Sequence, residues 1–132
     1  MITERGYCMI DLGEINLFRA NLKRINLKKT NLTEINLEEA DLNWAILAGA
    51  NLMGTKLEKA NLKGANLQGA NLKGALNLSI DQLSKVRTLY NTKLDEEFLI
   101  QLKEEFSFLF KSLKQQFLEY QHNHLGAISN NL

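Results

Sequence analysis

A β-solenoid is the fold class that the sequence predicts, and two observations predict it. Thirteen leucines lie five residues apart from Leu12 to Leu72, and two residues before each lies a small or β-branched residue, usually with Asn or Asp between. Five residues advance about 140° net around a helix, so the leucines would form no stripe there. An odd period would place them on alternate faces of a straight strand. A chain that extends for three residues and then turns buries every leucine around one narrow apolar core.

The two residues after each leucine are expected to turn the corner. Glycine is the second of these residues in five late units and can adopt the positive φ that a type II turn requires; these units contain Gly49, Gly54, Gly64, Gly69 and Gly74. Earlier units place a larger side chain there, and a different turn type that tolerates side chains is expected for them: Arg19, Arg24, Lys29, Glu34, Glu39 and Trp44.

Units such as Ala60-Asn61-Leu62-Lys63-Gly64 and Ala65-Asn66-Leu67-Gln68-Gly69 resemble the A(D/N)LXX repeat of the pentapeptide-repeat proteins, and the resemblance covers residues 10–76. It implies a right-handed quadrilateral parallel β-helix with four pentapeptides per coil, hence about three coils. Ile46 and Lys56 depart from the repeat, because they stand where Asn or Asp is usual. The resemblance also implies that the protein binds a partner.

The repeat divides the chain into four segments. We predict an N-terminal cap over residues 1–9, the β-helix over residues 10–76, a C-terminal α-helical segment over residues 79–122 and a flexible polar tail over residues 123–132. Residues 89–95 and 106–110 resemble the helical tails of some cyanobacterial pentapeptide-repeat proteins.

C-terminal α-helices are expected to cap the open end of the solenoid. Ser79-Ile80-Asp81-Gln82 has the pattern of a capping box that starts a helix ending near Asn91. After Asp95, apolar residues follow at spacings of three and four, which fits one helix over 96–121 or two shorter helices. Other apolar residues of this segment lie off the main stripe, and they would allow the helix to associate with a second copy of the chain. The candidate association helix contains Phe106, Phe108, Phe110, Leu113, Phe117 and Tyr120.

The composition and charge of the chain limit the kinds of function that the sequence predicts. Residues 10–76 carry nine basic and seven acidic side chains, and the chain after residue 76 carries six basic and seven acidic ones. Neither balance predicts a nucleic-acid or membrane surface. No apolar stretch approaches the ~20 residues of a membrane span, and the chain starts without a signal-peptide pattern. A cytoplasmic protein without a membrane partner is therefore expected.

Nothing in the sequence predicts an enzyme, a cofactor or a metal site. Cys8 is the only cysteine, and His122 and His124 lie in a polar tail where solvation is expected. The carboxylates fall at outward corners, away from the buried environment that acid–base catalysis exploits. A narrow core filled by leucine leaves no ligand pocket.

If a coil contains twenty residues, residues i and i+20 stack about 4.8 Å apart on one face. This register predicts a cation–π pair between Arg24 and Trp44 and a ladder of alternating charge through Arg19, Glu39 and Lys59. An exposed Trp beside basic residues is a candidate contact surface, because Trp and Arg are enriched at binding hot spots. The predicted partner surface combines a basic corner with outward apolar side chains: Phe18, Lys23, Arg24, Lys28, Lys29, Trp44 and Met53.

The sequence favours a non-enzymatic protein–protein interaction scaffold whose protein partner it does not identify. The alternative is an assembly unit that forms a homodimer through the Phe-rich helix. Two other functions are disfavoured. DNA mimicry toward type II topoisomerase, which some members of the family perform, needs a long and strongly acidic rod. Direct nucleic-acid binding would rest on about four basic residues and one stacking aromatic.

Overall fold

The computed structural model describes the backbone of residues 15–130 and the side chains of residues 15–125. The N-terminal cap expected over residues 1–9 lies outside the described residues. Within them, parallel bridges join residues twenty positions apart, such as Asn16 with Asn36 and Asn21 with Asp41. One coil therefore contains four pentapeptides, as expected. The repeat region is a stack of four-sided coils.

Each pentapeptide contributes one outward residue to one face of the stack. We name the faces by one member each: the Asn16 face (Asn16, Asn36, Lys56 and Leu76), the Asn21 face (Asn21, Asp41 and Asn61), the Ile46 face (Asn26, Ile46, Asn66 and Thr88) and the Asn31 face (Asn31, Asn51, Asn71 and Lys93). This chain order places the Asn16 face opposite the Ile46 face.

All five backbone N–H groups of the unit Ala40–Trp44 find acceptors. The N–H of Ala40 donates to the carbonyl of the preceding leucine at 3.1 Å, and that of Asp41 donates to the preceding coil at 2.9 Å. Those of Leu42 and Trp44 donate to the following coil, both at 2.8 Å. The Asn43 N–H donates to the Asp41 carboxylate at 3.1 Å. The Asn or Asp of the repeat thus satisfies the one N–H that neither coil reaches.

The corners share one conformation whether or not they carry glycine. The glycines have φ of 67–71°, and the larger corner residues from Arg19 to Trp44 have φ of 56–62°. The following N–H donates back to the leucine carbonyl at each of these corners, which is the type II arrangement. Our expectation of a different turn type at the larger residues is therefore wrong. Hydrogen bonds to the neighbouring coils hold these residues in a conformation that costs a side chain about 1–2 kcal/mol.

The leucines fill the centre of the stack, and those from Leu27 to Leu72 are buried. Thr55 occupies a small-residue position in this core and is buried too. Its hydroxyl donates to the Leu52 carbonyl at 2.6 Å, so this buried hydroxyl has a hydrogen-bond partner.

Helix α1 covers Ile80–Ser84 and begins with the predicted capping box. The Ser79 hydroxyl accepts from the Gln82 N–H at 3.2 Å, and the Gln82 side chain accepts from the Ser79 N–H at 2.9 Å. The expectation that this helix continues to near Asn91 is wrong, because α1 ends at Ser84.

The chain after α1 rejoins the solenoid instead. Thr88 bridges to Asn66 and Lys93 bridges to Asn71, so the offset is 22 residues where the earlier coils have twenty. Two extra residues shift the register by two, and leucines 89 and 94 then fall on the core and are buried. The Thr88 hydroxyl takes the place of the repeat's Asn and accepts from the Tyr90 N–H at 3.1 Å.

Three further helical elements complete the chain: α2 (Glu96–Glu105), a 3-10 turn (Ser107–Phe110) and α3 (Leu113–Asn130). The helix breaks at Phe106, where φ is −134°, so the separate-helix alternative is the one the structure adopts. Helix α3 runs beyond residue 122, where we expected the helical segment to end. Among residues 15–130, no helix is both long and apolar enough to cross a membrane.

The C-terminal end of the stack is covered by α2 and the 3-10 turn. The Leu89 N–H, which points out of the last coil, donates to the Leu109 carbonyl at 2.7 Å. Leu102 and Leu109 are buried in the same cluster as the leucines of the coils. These contacts satisfy an end of the backbone ladder that would otherwise be open to association.

We predict that Leu102→Ala lowers the free energy of unfolding by about 2–5 kcal/mol, because it leaves a cavity under the cover of the stack. Ile100→Ala in the same helix is the control, since Ile100 is 65% exposed and Leu102 is 0% exposed. The control should change stability by less than about 0.5 kcal/mol. Urea unfolding followed by far-UV circular dichroism measures both, and equal effects would contradict the assigned cover.

Candidate partner surface

The structure distributes the predicted partner surface over all four corners of the stack. The corner between the Asn21 and Ile46 faces carries Lys23, Arg24 and Trp44, and the next corner carries Lys28 and Lys29. The single basic corner that we expected is therefore two corners, because five residues separate successive turns. Both of these corners border the Ile46 face.

Phe18 and Met53 lie on the remaining two corners. Both are exposed, as expected, but they flank the Asn16 face on the opposite side of the stack. Five of the seven predicted residues therefore surround one face, and these two do not.

The Trp44 indole lies over Gly64, which occupies the same corner one coil later. A Cβ atom built on Gly64 would stand 2.4 Å from the Trp44 Cδ2 atom, so only glycine leaves room for the ring. The indole is still 48% exposed. It is held flat against backbone and keeps one side free, which is the geometry of a preformed contact residue.

The expected cation–π pair between Arg24 and Trp44 is wrong. Among the described residues, the corresponding contact at this end of the stack joins Arg19 to the Phe18 ring at 4.9 Å. The charge ladder is confirmed in its first step, since the Arg19 Nε lies 2.7 Å from a Glu39 carboxylate oxygen. Lys59, its expected third member, forms no ion pair within residues 15–125.

Ile46 belongs to this surface, although our sequence reasoning did not include it. It stands in the outward position of the repeat, between the corners that carry Trp44 and Gly49, and it is 37% exposed. An isoleucine has no oxygen to accept the N–H of Ala48, so this unit loses the side-chain bond that the Asn or Asp of the repeat supplies. The departure from the repeat was visible in the sequence and was the signal that could have identified Ile46.

Charge is unevenly distributed around the stack. The Ile46 face and its two corners comprise residues 23–29, 43–49, 63–69 and 85–91, which hold seven Lys or Arg and no Asp or Glu. Glu34, Glu38, Glu39 and Glu58 lie at the corners of the opposite, Asn16 face. The near-neutral total for the repeats therefore conceals one cationic side.

The predicted association helix is divided by the structure. Phe106, Phe110 and Leu113 are half-buried near the cover of the stack, whereas Phe108, Phe117 and Tyr120 are exposed. Every side chain over residues 117–125 is exposed, including Leu118 and Leu125. The first part of the segment therefore serves the end of the solenoid, and the second part presents apolar side chains to solvent.

The histidines of α3 form no metal cluster in the part of the chain that was described. No group of three His, Cys, Asp or Glu side chains there could hold a metal ion. The His124 ring stacks on the Tyr120 ring, with 3.8 Å between the ring centroids.

Comparison with known proteins identifies the repeat. A family model described as pentapeptide repeats matches residues 15–52 and 35–74, with 8 copies. Two trypsin-treated forms of QnrB1, a plasmid-mediated fluoroquinolone resistance protein, are similar in structure, with TM-scores of 0.57 and 0.55 and 26% sequence identity. The likeness covers 75% and 70% of this chain but only 46% and 44% of the QnrB1 chains, so this chain spans less than half of their length.

A pentapeptide repeat protein (Rfr23) from the cyanobacterium Cyanothece 51142 is 40% identical over 61% of this chain and 54% of that chain, with a TM-score of 0.39. No curated protein matches the chain.

We predict that Gly64→Ala destabilises the protein more than Gly69→Ala does. Both glycines have positive φ, 71° and 68°, so both changes carry the same backbone strain. Only at Gly64 must an indole move, because the nearest atom to a Cβ on Gly69 is 3.9 Å away. The expected difference in the free energy of unfolding is about 1–3 kcal/mol.

The same comparison in a Trp44→Ala background tests the cause. The difference between the two alanine variants should vanish there, because the ring that clashes is absent. Urea unfolding of the four variants measures it, and a difference that persists without Trp44 would refute the packing of the indole on Gly64.

Proposed function

Because this chain belongs to the pentapeptide-repeat family through residues 15–74, and members of that family form right-handed quadrilateral β-helices, we propose that it is a non-enzymatic scaffold that binds a partner protein through its Ile46 face. The observation that carries the proposal is the exposed apolar pair Trp44 and Ile46 on a side of the stack without carboxylates.

Trp44 and Ile46 occupy positions where the repeat usually has other residues, and this lowers the stability of the fold. At Ile46 the repeat gives up a hydrogen bond and places a branched apolar side chain at the surface. At Trp44 it places an exposed indole at a corner position that carries a charged residue or glycine in the other units. A residue that disfavours folding and brings no evident structural gain is typical of a functional position. Trp and Ile together offer the apolar centre around which binding hot spots form.

The rigidity of the stack supports the same function. Most corners are fixed by one hydrogen bond within their own unit and one to the next coil, so the outward side chains are held on a regular grid. A partner that binds this grid orders little backbone, which lowers the entropic cost of association.

The fluoroquinolone resistance of QnrB1 is not part of this proposal. This chain spans less than half of the QnrB1 chains, and its most distinctive face is cationic. A cationic face lacks the phosphate-like charge that mimicry of DNA requires.

A second candidate function, self-assembly through α3, is favoured by the exposure of that helix. Over residues 117–125 both sides of the helix are exposed, and Phe117, Leu118, Tyr120 and Leu125 are each at least half exposed. Most of the stability of a helix in a protein comes from packing of its apolar side, so packing of this helix against a second copy would stabilise it.

We predict that Ile46→Asn weakens binding of a partner without destabilising the fold. The new amide can accept the Ala48 N–H, so the free energy of unfolding should stay level or rise by up to about 1 kcal/mol. Lys56→Asn is the matched control, because it restores the same bond to Glu58 on the Asn16 face. Affinity for a partner should fall about tenfold in Ile46→Asn and stay unchanged in Lys56→Asn.

The measurement begins with capture from a lysate of the source organism, using wild-type protein and both variants as bait. A protein retained by wild type and Lys56→Asn, but lost by Ile46→Asn, is purified and its affinity measured by calorimetry. Equal affinity of the two variants for every purified candidate would refute binding through the Ile46 face.

For the second candidate, wild-type protein should sediment as a dimer at high micromolar concentration, and Phe117→Glu with Tyr120→Glu should sediment as a monomer. Gln115→Glu with His122→Glu adds charges to another side of α3 and should leave the dimer intact. Analytical ultracentrifugation of the three proteins decides this, and a monomeric wild type would exclude the assembly.

A further inference from the structure

The cations around the Ile46 face are mostly free of carboxylates. Lys23 lies 3.5 Å from Asp41 of the Asn21 face, and Lys85 lies 3.0 Å from Asp81 of α1, so two of the seven have an acidic neighbour. The other five, which are Arg24, Lys28, Lys29, Lys63 and Arg87, have no carboxylate oxygen within 4.0 Å among the described residues. A partner with acidic side chains would supply the missing charges.

Ile46 gives the same face an apolar centre between Asn26 and Asn66 of the neighbouring coils, and a shallow groove lies beside it. Gly49 and Gly69 carry no side chains at the corner beside Ile46, and a Cβ built on Gly69 would meet nothing closer than 3.9 Å. The aliphatic stem of Lys29 lies along this corner, 3.2 Å from the position of a Cβ on Gly49. These residues line the groove together with Lys28, Ile46 and Gln68.

The combination favours a protein segment over a nucleic acid. A phosphate backbone needs cations along its whole path, but the second coil crosses the face with Trp44, Ile46 and Ala48 and carries no charge there. A peptide can place an apolar or aromatic side chain against these residues and carboxylates toward the cations of the first coil. Complementary charge of this kind gives specificity and speeds association.

We infer that the Ile46 face binds an acidic protein segment that carries apolar or aromatic side chains among its carboxylates. The inference rests on the proposed function and adds the chemistry of the partner. The chain provides its own reporter, because Trp44 is the only tryptophan and lies on the Ile46 face, at the corner across Ile46 from the groove.

The test uses the full chain and three defined probes: a random copolymer of glutamate and tyrosine, polyglutamate of the same length, and a duplex DNA oligonucleotide. Trp44 fluorescence, excited where tyrosine does not absorb, follows each titration. The copolymer should shift the emission and bind at least about tenfold more tightly than polyglutamate, because its rings add burial on Trp44 and Ile46. Its affinity should fall as salt rises from about 0.01 M to about 1 M, over which the Debye length shrinks from ~30 Å to ~3 Å.

Lys28→Glu with Lys29→Glu should weaken binding of the copolymer at least about tenfold. The control, Lys73→Glu with Lys59→Glu, changes the same charge at the same two corner positions on the opposite side of the stack, and Lys59 matches Lys29 in φ, 56° against 58°. The control should bind within about twofold of wild type, since its charges lie outside the face. Circular dichroism confirms that both variants fold, and Lys28→Gln with Lys29→Gln should give an intermediate loss.

Tighter binding of DNA than of the copolymer would overturn the inference, as would equal binding of copolymer and polyglutamate, or equal losses in the two reversal variants. Absence of copolymer binding would also overturn it. If Ile46→Asn nevertheless loses a purified cellular partner, the scaffold function stands and only the acidic chemistry fails. If the copolymer binds as expected but no cellular partner distinguishes Ile46→Asn, the chemistry stands and the scaffold function fails.

Discussion

The hydrogen bond from the leucine N–H of one unit to the carbonyl nineteen residues later is the constraint on which the rest of the structure depends. The leucines from Leu17 to Leu57 form it, as from Leu42 to Asn61 at 2.8 Å. It fixes the length of a coil, and a coil of fixed length places every fourth unit on the same face. The core then needs only leucine and a small partner in each unit, because their positions repeat. The outward Asn or Asp completes the unit by accepting the one N–H that the coils leave free.

The same constraint explains why the corners tolerate large side chains. An isolated residue with φ near 58°, such as Lys29, would relax to a more favourable conformation. In the stack its N–H is bonded to the next coil and the following N–H is bonded to its own leucine, so relaxing would break two bonds. Glycine is then required only where a neighbour occupies the space of a Cβ, as Trp44 does at Gly64.

At the C-terminal end of the stack, residues outside the repeat accept or donate the hydrogen bonds that link coils elsewhere. A two-residue shift after α1 would expose the leucines of the last coil if the chain kept the earlier register. Thr88 and Lys93 instead pair at an offset of 22, and the Leu89 N–H finds the carbonyl of Leu109 in the 3-10 turn. The Asp95 carboxylate accepts the Gly74 N–H at 3.2 Å in place of a further coil. Helical residues thus take over the bonds that another coil would supply.

Local pattern in the sequence was enough to determine the period of five, the identity of the core leucines, the glycine corners and the capping box at Ser79. Each of these depends on residues within one unit or one turn. The continuation of the coil through residues 87–94 could not be predicted in this way, because Thr88 and Lys93 lack the repeat's Asn and only pairing with residues 22 positions earlier reveals their role.

For the candidate surface, too, the sequence identified residue types, and the structure showed which of them lie together. Trp44 and the four basic residues of the first coil were identifiable by residue type, and so was the departure at Ile46. Only the tertiary structure placed Lys23 and Lys28 on two corners of one face and moved Phe18 and Met53 to the opposite side. Net charge along a chain is a sum, whereas the field that a partner meets depends on which residues share a side of the stack. That sharing is set by hydrogen bonds between coils, which a linear sequence does not record.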